Sequence, residues 1–407
     1  MAPENQDPRA AFERLLSQSG PGMGRRQFLK NAALAGFSVS AAGAFLAACG
    51  TDTGGGGGGG AAEMTNTSSN QLTWANWPLS VDTDNKGNIP SLVQFRKQTG
   101  IKVDYVAEIN SNDEWFAKIQ PLMKSGQGIS ASLVSPTDWM GGRMIDLGWV
   151  QPLNFDKIPN AKNLLPAFAH PPFDPDRKFS LAWQGWIAGI AVNTGVTGRD
   201  ITSVEELLTA PDLKGKVSLL SEMRETTGLL MLANGANPSD FTEDEFNQAL
   251  DDITESLDSG QLRRFTGNDY APDLAQGNIA ACFAWAGDVV QLNKDNPKIK
   301  FFIPDTGAVL LEDVLMIPKD AKNTVGATEL INYYYEPEVA AQVAAYVNAF
   351  CPVDGAQEAM KKIDPDLVDN QLIFPDKKSQ DEMHGYMPLD AEQAQTYQAD
   401  FERTIGL

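Results

Sequence analysis

From Leu72 onward the chain alternates short apolar strands with longer helical patterns, and that alternation restricts its fold more than any other feature. Ile101, Val103 and Tyr105 alternate with Lys102 and Asp104, the period of a half-buried strand. Just before them Ile89, Leu92, Val93 and Gln94-Phe95 fall at helical spacing, and Gly100 stands where that helix must stop. Lys216 to Leu220 reads as a short buried strand running into Ser221, a good helix N-cap. Ala327, Leu330, Ile331 and Tyr334 mark one helix face, and Pro337 opens the next helix at its permitted first turn. Strands taking turns with helices predict an α/β fold with mainly parallel pairing. Leu181 through Asn193 forms a strand-rich bridge, and Phe302 to Asp305 with Val314 to Pro318 forms a second. Two α/β lobes joined by paired crossovers leave a cleft, the favoured place for a small ligand.

The first residues stand outside this pattern. Arg25-Arg26-Gln27-Phe28-Leu29-Lys30 is a twin-arginine export motif, and an apolar stretch of small residues runs from Ala32 to Ala48. Leu46-Ala47-Ala48-Cys49 resembles a lipobox, in which the cysteine sulfur takes up a diacylglycerol before the preceding segment is cut away. The stretch is too short, and too rich in Ala, Gly and Ser, to read as a membrane span, so a signal peptide is expected. The alternative is a buried helix that happens to follow two arginines. The mature chain is then expected to start at a lipid-anchored Cys49, outside the cytoplasmic membrane. Gly54 to Gly60 would be its flexible tether. The expected divisions are 1–48 signal peptide, 49–70 lipidated tether, 71–190 the first part of lobe 1, and 191–303 lobe 2. Residues 304–407 are expected to return to lobe 1 and to carry the C-terminal helices.

Charge narrows the partners. Without residues 1–48 the chain holds 27 Lys and Arg against 50 Asp and Glu, a net charge of −23. Nucleic acid needs the opposite sign, so no nucleic-acid partner is expected. A cationic ligand gains local concentration from such a surface, although acidity can serve solubility alone. Beyond Cys49 the cysteines are Cys282 and Cys351, for which two buried thiols are expected rather than a bridge. His170 and His384 lie far apart without metal-ligand spacing, and no HExxH, GxSxG or phosphate-cradling glycine loop occurs in the mature chain. No metal site and no cofactor are expected.

Four stretches bring polar and aromatic residues together just after strands: Asn76-Trp77, Pro136-Thr137-Asp138-Trp139, Ser221-Glu222-Met223-Arg224-Glu225 and Trp285-Ala286-Gly287-Asp288. In open α/β sheets, ligands meet the loops beyond the carboxyl ends of the strands. Aromatic faces attract cations by about 0.5–2 kcal/mol, and a carboxylate completes the charge of an ammonium taken out of water. Aromatic walls with carboxylates at the ends suit an elongated amine with an apolar middle. Each residue also has a plainer explanation. A tryptophan is often core, Glu222 and Glu225 could simply favour a helix N-terminus, and Asp313 could be a solvated carboxylate. Trp183 and Trp186, inside the bridging strand, are expected to pack. A surface glycoside hydrolase would also line a cleft with Trp and paired carboxylates, yet no acid and nucleophile pair can be placed here.

The ordered motifs extend the argument. Asn76-Trp77 is followed by Thr99 to Val103, Leu133 to Thr137, Pro172-Phe173-Asp174-Pro175, Leu213 to Val217, Trp285 to Val289, Ile317-Pro318 and Ala321-Lys322-Asn323. In that order and across most of the mature chain they resemble the spermidine/putrescine-binding family of ABC-transporter solute-binding proteins. The resemblance implies a two-lobed periplasmic-binding-protein fold with two hinge strands, probing its ligand in the interlobe cleft. It implies a non-enzymatic, monomeric protein that delivers a polyamine to a membrane permease driven by a cytoplasmic ATPase. Carried onto this sequence, it makes Trp77 and Trp285 stacking walls, with Thr137, Asp138 and Trp139 along the edge of lobe 1. It makes Glu222, Glu225, Asp288 and Asp313 the carboxylates, with Tyr270 and Phe350 as further contacts. Where the family pattern has an acidic residue and then tyrosine after Asn76-Trp77, this chain has Leu79 and Ser80. Another chain length, a guanidinium compound, another cation or ferric iron therefore stay open as ligands. Tyr333-Tyr334-Tyr335 invites the iron reading, but consecutive helix residues diverge by about 100° and Tyr334 lies on the apolar face, so packing is expected.

Overall fold

The computed structural model describes residues 64–406 apart from Asn110 and Asn268. Arg25, Arg26, Cys49 and the glycine tether lie outside the described residues.

The first three strands, β1 (Gln71–Asn76), β2 (Lys102–Ala107) and β3 (Leu133–Val134), are parallel, and β4 (Val150–Gln151) follows. Next comes β5 (Ser180–Asn193), fourteen residues long and buried at every position except Trp186. The second set is β6 (Val217–Leu220), β7 (Leu262–Thr266) and β8 (Ala281–Trp285), again parallel, with β9 (Ile299–Phe302) after it. Then β10 (Ala308–Pro318) returns, and β11 (Met383–His384) adds to its start. The hydrogen-bonded order is β2-β1-β3-β10-β5-β8-β6-β7, with β4 on β10 and β9 on β5. Each half thus has three parallel strands and one antiparallel crosser: β2-β1-β3-β10 on one side and β7-β6-β8-β5 on the other. The crossers are exchanged, since each half is closed by the strand the chain uses to leave or re-enter the other. The three non-crossing strands of each half pair in parallel, as the alternation predicts, whereas β10 pairs antiparallel with β3 and every bond made by β5 is antiparallel.

Packing divides at the same place. Leu181 and Trp183 of β5 join Leu72, Trp74 and Leu133 in one core, whereas Ala188, Ile190 and Val192 join Val217, Leu219 and Phe283 in another. On β10, Val309 and Leu311 belong to the second core and Leu315 and Ile317 to the first. Both strands therefore change lobe near their middle, at Gln184–Ile187 and Glu312–Asp313. The chain crosses once more near its end. Ile373 and Phe374 pack in the first core, but Tyr386, Tyr397 and Phe401 pack in the second, where Tyr397 stacks 4.3 Å from Phe246. The C-terminal helix Ala391–Ile405 thus sits on lobe 2, because its apolar side matches the Glu243–Asp258 helix.

Two local expectations need correction. Ser221 does not cap a helix; its N–H still bonds to Thr266 O in strand fashion, and the helix Met223–Ala233 starts one residue later, with Glu222 at the N-cap. Val93 is exposed, so the buried face of Pro90–Thr99 is Ser91, Leu92 and Phe95. Gly100 ends that helix at φ +78°, a conformation that glycine takes without strain. The tyrosine triplet is core: Tyr333 and Tyr334 bond to Ser91 and Tyr335 donates to Ala182 O, all at 3% exposure or less. Cys282 and Cys351 are free and buried. Among the described residues no helix is long and apolar enough to cross a membrane.

Candidate ligand cleft

Three of the four predicted stretches are junctions from a strand into a helix, and none of the three N-cap side chains caps its helix. Thr137, Glu222 and Trp285 hold the N-cap positions after β3, β6 and β8 with no side-chain cap bond. A side chain that leaves its local partner unused is free for another task. Each helix carries a carboxylate in its first turn: Asp138, Glu225 and Asp288. Negative charge there suits the helix dipole, which provides part of the local reason for these residues.

Lobe 1 and the hinge build one cluster around Asp313. The Thr137 hydroxyl donates to its Oδ1 at 3.1 Å and Trp186 Nε1 donates to its Oδ2 at 2.8 Å. Asn112 holds Thr137 in turn, donating from Nδ2 to its Oγ1 at 3.0 Å and accepting its N–H at 3.2 Å. Asp313 is 3% exposed, and burial pushes its carboxyl up to about 7, against the bonds from Trp186 and Thr137, with the Glu312 charge adding to the rise. Trp77 is half-buried in the lobe 1 core beside Trp139, and its carbonyl accepts from Tyr105 at 2.5 Å. Asp138 accepts the Trp139 and Glu312 N–H groups at 2.6 and 3.3 Å. Burial first and then the Glu312 charge raise it to about 8.

Lobe 2 supplies the opposite wall. Trp285 Nε1 donates to Glu225 Oε1 at 3.3 Å. Burial and then the neighbouring Glu222, exposed on the same turn, push Glu225 up to about 7. Asp288 is 2% exposed and accepts from Tyr270 OH at 2.9 Å, while the Trp285 N–H donates to the same hydroxyl at 3.1 Å. Tyr270 is fully buried, so it backs the wall and orients Asp288 from behind.

The two walls meet at Arg224. Its guanidinium carbon lies 4.1 Å from the centre of the Trp139 ring, a cation–π contact that links lobe 2 to lobe 1. Asp113, Asp138 and Glu225 surround it electrostatically, and among the described residues its Nε has no hydrogen-bond partner. Carboxyls held near neutrality in one cleft respond strongly to positive charge. A cation brought among them favours their ionised forms and releases the protons they hold.

Trp77, Thr137, Asp138, Trp139, Glu222, Glu225, Trp285, Asp288 and Asp313 thus lie on strand-end junctions or the hinge, and the Arg224–Trp139 contact spans the two lobes there. Phe350 does not join them: it is 1% exposed, packs 4.7 Å from Phe168, and its backbone pairs with Gly185. Trp183 packs as expected, edge-on to Trp74 and Tyr334. Trp186 packs against the lobe 1 core as expected and in addition donates to Asp313. Its signal in the sequence is an indole in the middle of an otherwise apolar crossover. Arg224 was visible between two glutamates, but nothing in the spacing gave its partner across the lobes. A cavity of about 560 Å³ lies elsewhere, between the Ala286–Asp295 helix, β9 and residues 364–372. Its lining mixes Lys294 and Lys300 with Asp364 and Asp366, without a converging set of one sign. Among the described residues no group of His, Cys, Asp or Glu could hold a metal ion.

Two α/β lobes with exchanged crossing strands define the periplasmic-binding-protein fold of an ABC importer's solute-binding component. Residues 91–371 match the family described as bacterial extracellular solute-binding protein. The chain belongs to that family and, within it, to the spermidine/putrescine type of periplasmic substrate-binding proteins. It is 28% identical over 313 residues to the spermidine/putrescine-binding periplasmic protein of Escherichia coli K12, covering 76% of this chain and 85% of that one. It is 30% identical over 275 residues to the putrescine-binding periplasmic protein PotF of the same organism, covering 63% and 72%. Among solved structures, the substrate-binding protein PotD of Streptococcus pneumoniae superposes with TM-score 0.71 at 24% identity, covering 83% of this chain and 98% of that one. A putative spermidine/putrescine ABC transporter protein of Listeria monocytogenes gives 0.69 at 27% identity, covering 83% and 99%. The protein is thus an extracytoplasmic binding protein rather than an enzyme, and its family implies a permease and an ATPase as partners.

Proposed function

We propose that this protein binds a putrescine- or spermidine-like polyamine between its lobes and, as a monomer, hands it to the membrane permease. What supports this is a set of tryptophans and buried or raised-pKa carboxylates at the strand ends of each lobe, Trp77 and Trp139 with Asp138 and Asp313 on one and Trp285 with Glu225 and Asp288 on the other, spanned by the Arg224–Trp139 contact. The tryptophans would take the methylenes and the carboxylates the ammonium ends. Closing the lobes completes contacts that neither lobe makes alone, so ligand shifts the population toward the closed form. The names of the relatives support the ligand class. The Arg224 stack on Trp139 favours a second candidate in the same class, a guanidinium-bearing amine such as agmatine, because that ring already holds a guanidinium. The proposed lobes are 71–190 with the return through Phe374, and 191–303 joined by the C-terminal helix.

Thermal melting with putrescine, spermidine, spermine, cadaverine, agmatine and ferric citrate tests the reading. A ligand at a hundred times its Kd stabilises the native state by about 2.7 kcal/mol, so at least one amine should raise the melting temperature clearly. No shift with any amine at millimolar concentration would overturn the polyamine assignment.

We further propose that Arg25-Arg26 direct export of the folded chain and that Cys49 carries the lipid anchor. Cys49→Ala should then appear in the soluble fraction or keep its leader, which fractionation and gel mobility would show. A variant that fractionates and migrates like wild type would exclude the anchor.

A further inference from the structure

Directly behind the cleft lies a buried ion pair that no ligand can reach. Arg177 and Glu312 are 4% and 5% exposed, and Arg177 Nη2 donates to both carboxylate oxygens at 2.6 and 2.7 Å. Arg177 is anchored further, through Nε to Phe168 O at 2.7 Å and Nη1 to Ser180 Oγ at 3.2 Å. Its backbone adopts φ +51°, unusual outside glycine. The Asp174 carboxylate holds that turn, accepting the N–H groups of Lys178, Phe179 and Ser180 at 2.9–3.0 Å.

Glu312 precedes Asp313 on β10, and the register of β10 against β5 shifts just after Asp313. The Glu312 N–H reaches Asp138 Oδ2, Asp313 bridges to Thr137, and the Val314 N–H bonds to Pro136 O at 2.9 Å. Fixing the Glu312 side chain therefore fixes the stretch of backbone that aims both cleft aspartates. We propose that the Arg177–Glu312 pair is the positioning and charge-setting device for Asp138 and Asp313, acting on the ligand only through them. The inference deepens the reading of this cleft as a cation site and rests on it for its functional meaning.

The charges facing each group make the proposal specific. Asp138 faces Glu312 on β10 and Arg224 from lobe 2. Asp313 faces Glu312, and Tyr105 from β2 lies within its field. Glu312 faces Arg177 and Asp174, with Tyr335 near both members of the pair. Arg177→Met leaves Glu312 buried without its counter-charge, so Glu312 takes up a proton and its charge no longer opposes ionisation of the two aspartates. Glu312→Gln leaves a bare positive charge, which favours it. A merely structural pair would leave the aspartates alike in both variants, whereas here Glu312→Gln acts more strongly, because only it leaves the guanidinium charge behind.

The test is a titration of the aspartate carboxyl carbons by nuclear magnetic resonance in ligand-free protein, with Asp138→Asn and Asp313→Asn used for assignment. The midpoints of Asp138 and Asp313 should move down by about one pH unit in Glu312→Gln and by distinctly less in Arg177→Met. Arg177→Lys keeps the charge and should leave them near wild type. If Arg177→Met does not fold, Glu312→Gln and Arg177→Lys still decide the matter. A Glu312→Gln that leaves them unmoved, or that lowers them less than Arg177→Met does, would overturn the proposal. Because no amine is present, its failure is separate from failure of the polyamine assignment. Where putrescine binds, its affinity should follow the same midpoints.

Discussion

Asp288→Asn should lower the affinity for putrescine or spermidine by about a hundredfold or more. Asp288 stands three residues after Trp285, in the first turn of the helix that β8 runs into, so one short junction offers a ring face and a carboxylate to the same ammonium. At 2% exposure the carboxylate is shielded from water, and the Tyr270 hydroxyl fixes one of its oxygens. Asparagine preserves the shape and an acceptor for Tyr270 but deletes the charge. Breaking a buried charge pair on one side costs about 3–5 kcal/mol, and each 1.4 kcal/mol is about a factor of ten. Trp285→Leu removes the ring and its bond to Glu225, and should cost about 1–2 kcal/mol. The ranking is the test. Calorimetric titration of both variants, each first shown to be folded by circular dichroism, should find Asp288→Asn the more damaging. Wild-type affinity in Asp288→Asn would mean that the carboxylate serves the fold of lobe 2 and not the ligand.

Why some of this was legible in the sequence follows from the range of the interactions involved. The strand-end junctions are local. An apolar run, a break and a polar or aromatic residue are enough to locate Trp77, Asp138, Glu225 and Asp288 beyond β1, β3, β6 and β8. The crossing strands were legible as apolar runs, but not their antiparallel pairing, which depends on partners more than a hundred residues away, as Leu181 with Leu315. The added bond from Trp186 to Asp313 is hidden for the same reason, since the two lie 127 residues apart. Ser221 shows the opposite failure. A good local cap lost to a backbone bond that β7 offers, because satisfying the strand edge also closes the sheet. Phe350 came only from the resemblance, and its ring turned into the core beside Phe168, near Gly185, which has no side chain to fill that space.

Asp313→Asn should produce a change that depends on pH in two opposite directions. Binding needs the carboxylate ionised, and in the ligand-free protein burial holds it up to about 7. Wild-type affinity should therefore climb as pH rises from about 5.5 toward 8, by up to about tenfold per pH unit for one proton released. The variant should lose about a hundredfold against wild type at pH 8, where the charge matters, and much less at pH 5.5, where wild type carries a proton there as well. Stability runs the other way. The folded-state pKa lies above the unfolded value, so the unfolded chain ionises first as pH rises. The stability of the ligand-free wild type then falls between about pH 4 and 7, and the loss is complete above the folded pKa. Asparagine carries no such penalty, although it satisfies Trp186 and Thr137 less well than a carboxylate does. Without ligand it should be more stable than wild type at pH 8, by about 1–2 kcal/mol, with the advantage shrinking toward pH 5. Thermal melting at both pH values, with and without putrescine, reads both effects in one experiment. If ligand-free Asp313→Asn melts below wild type at pH 8, or its binding keeps the wild-type rise with pH, the titrating group that receives the amine is another carboxylate of this cleft.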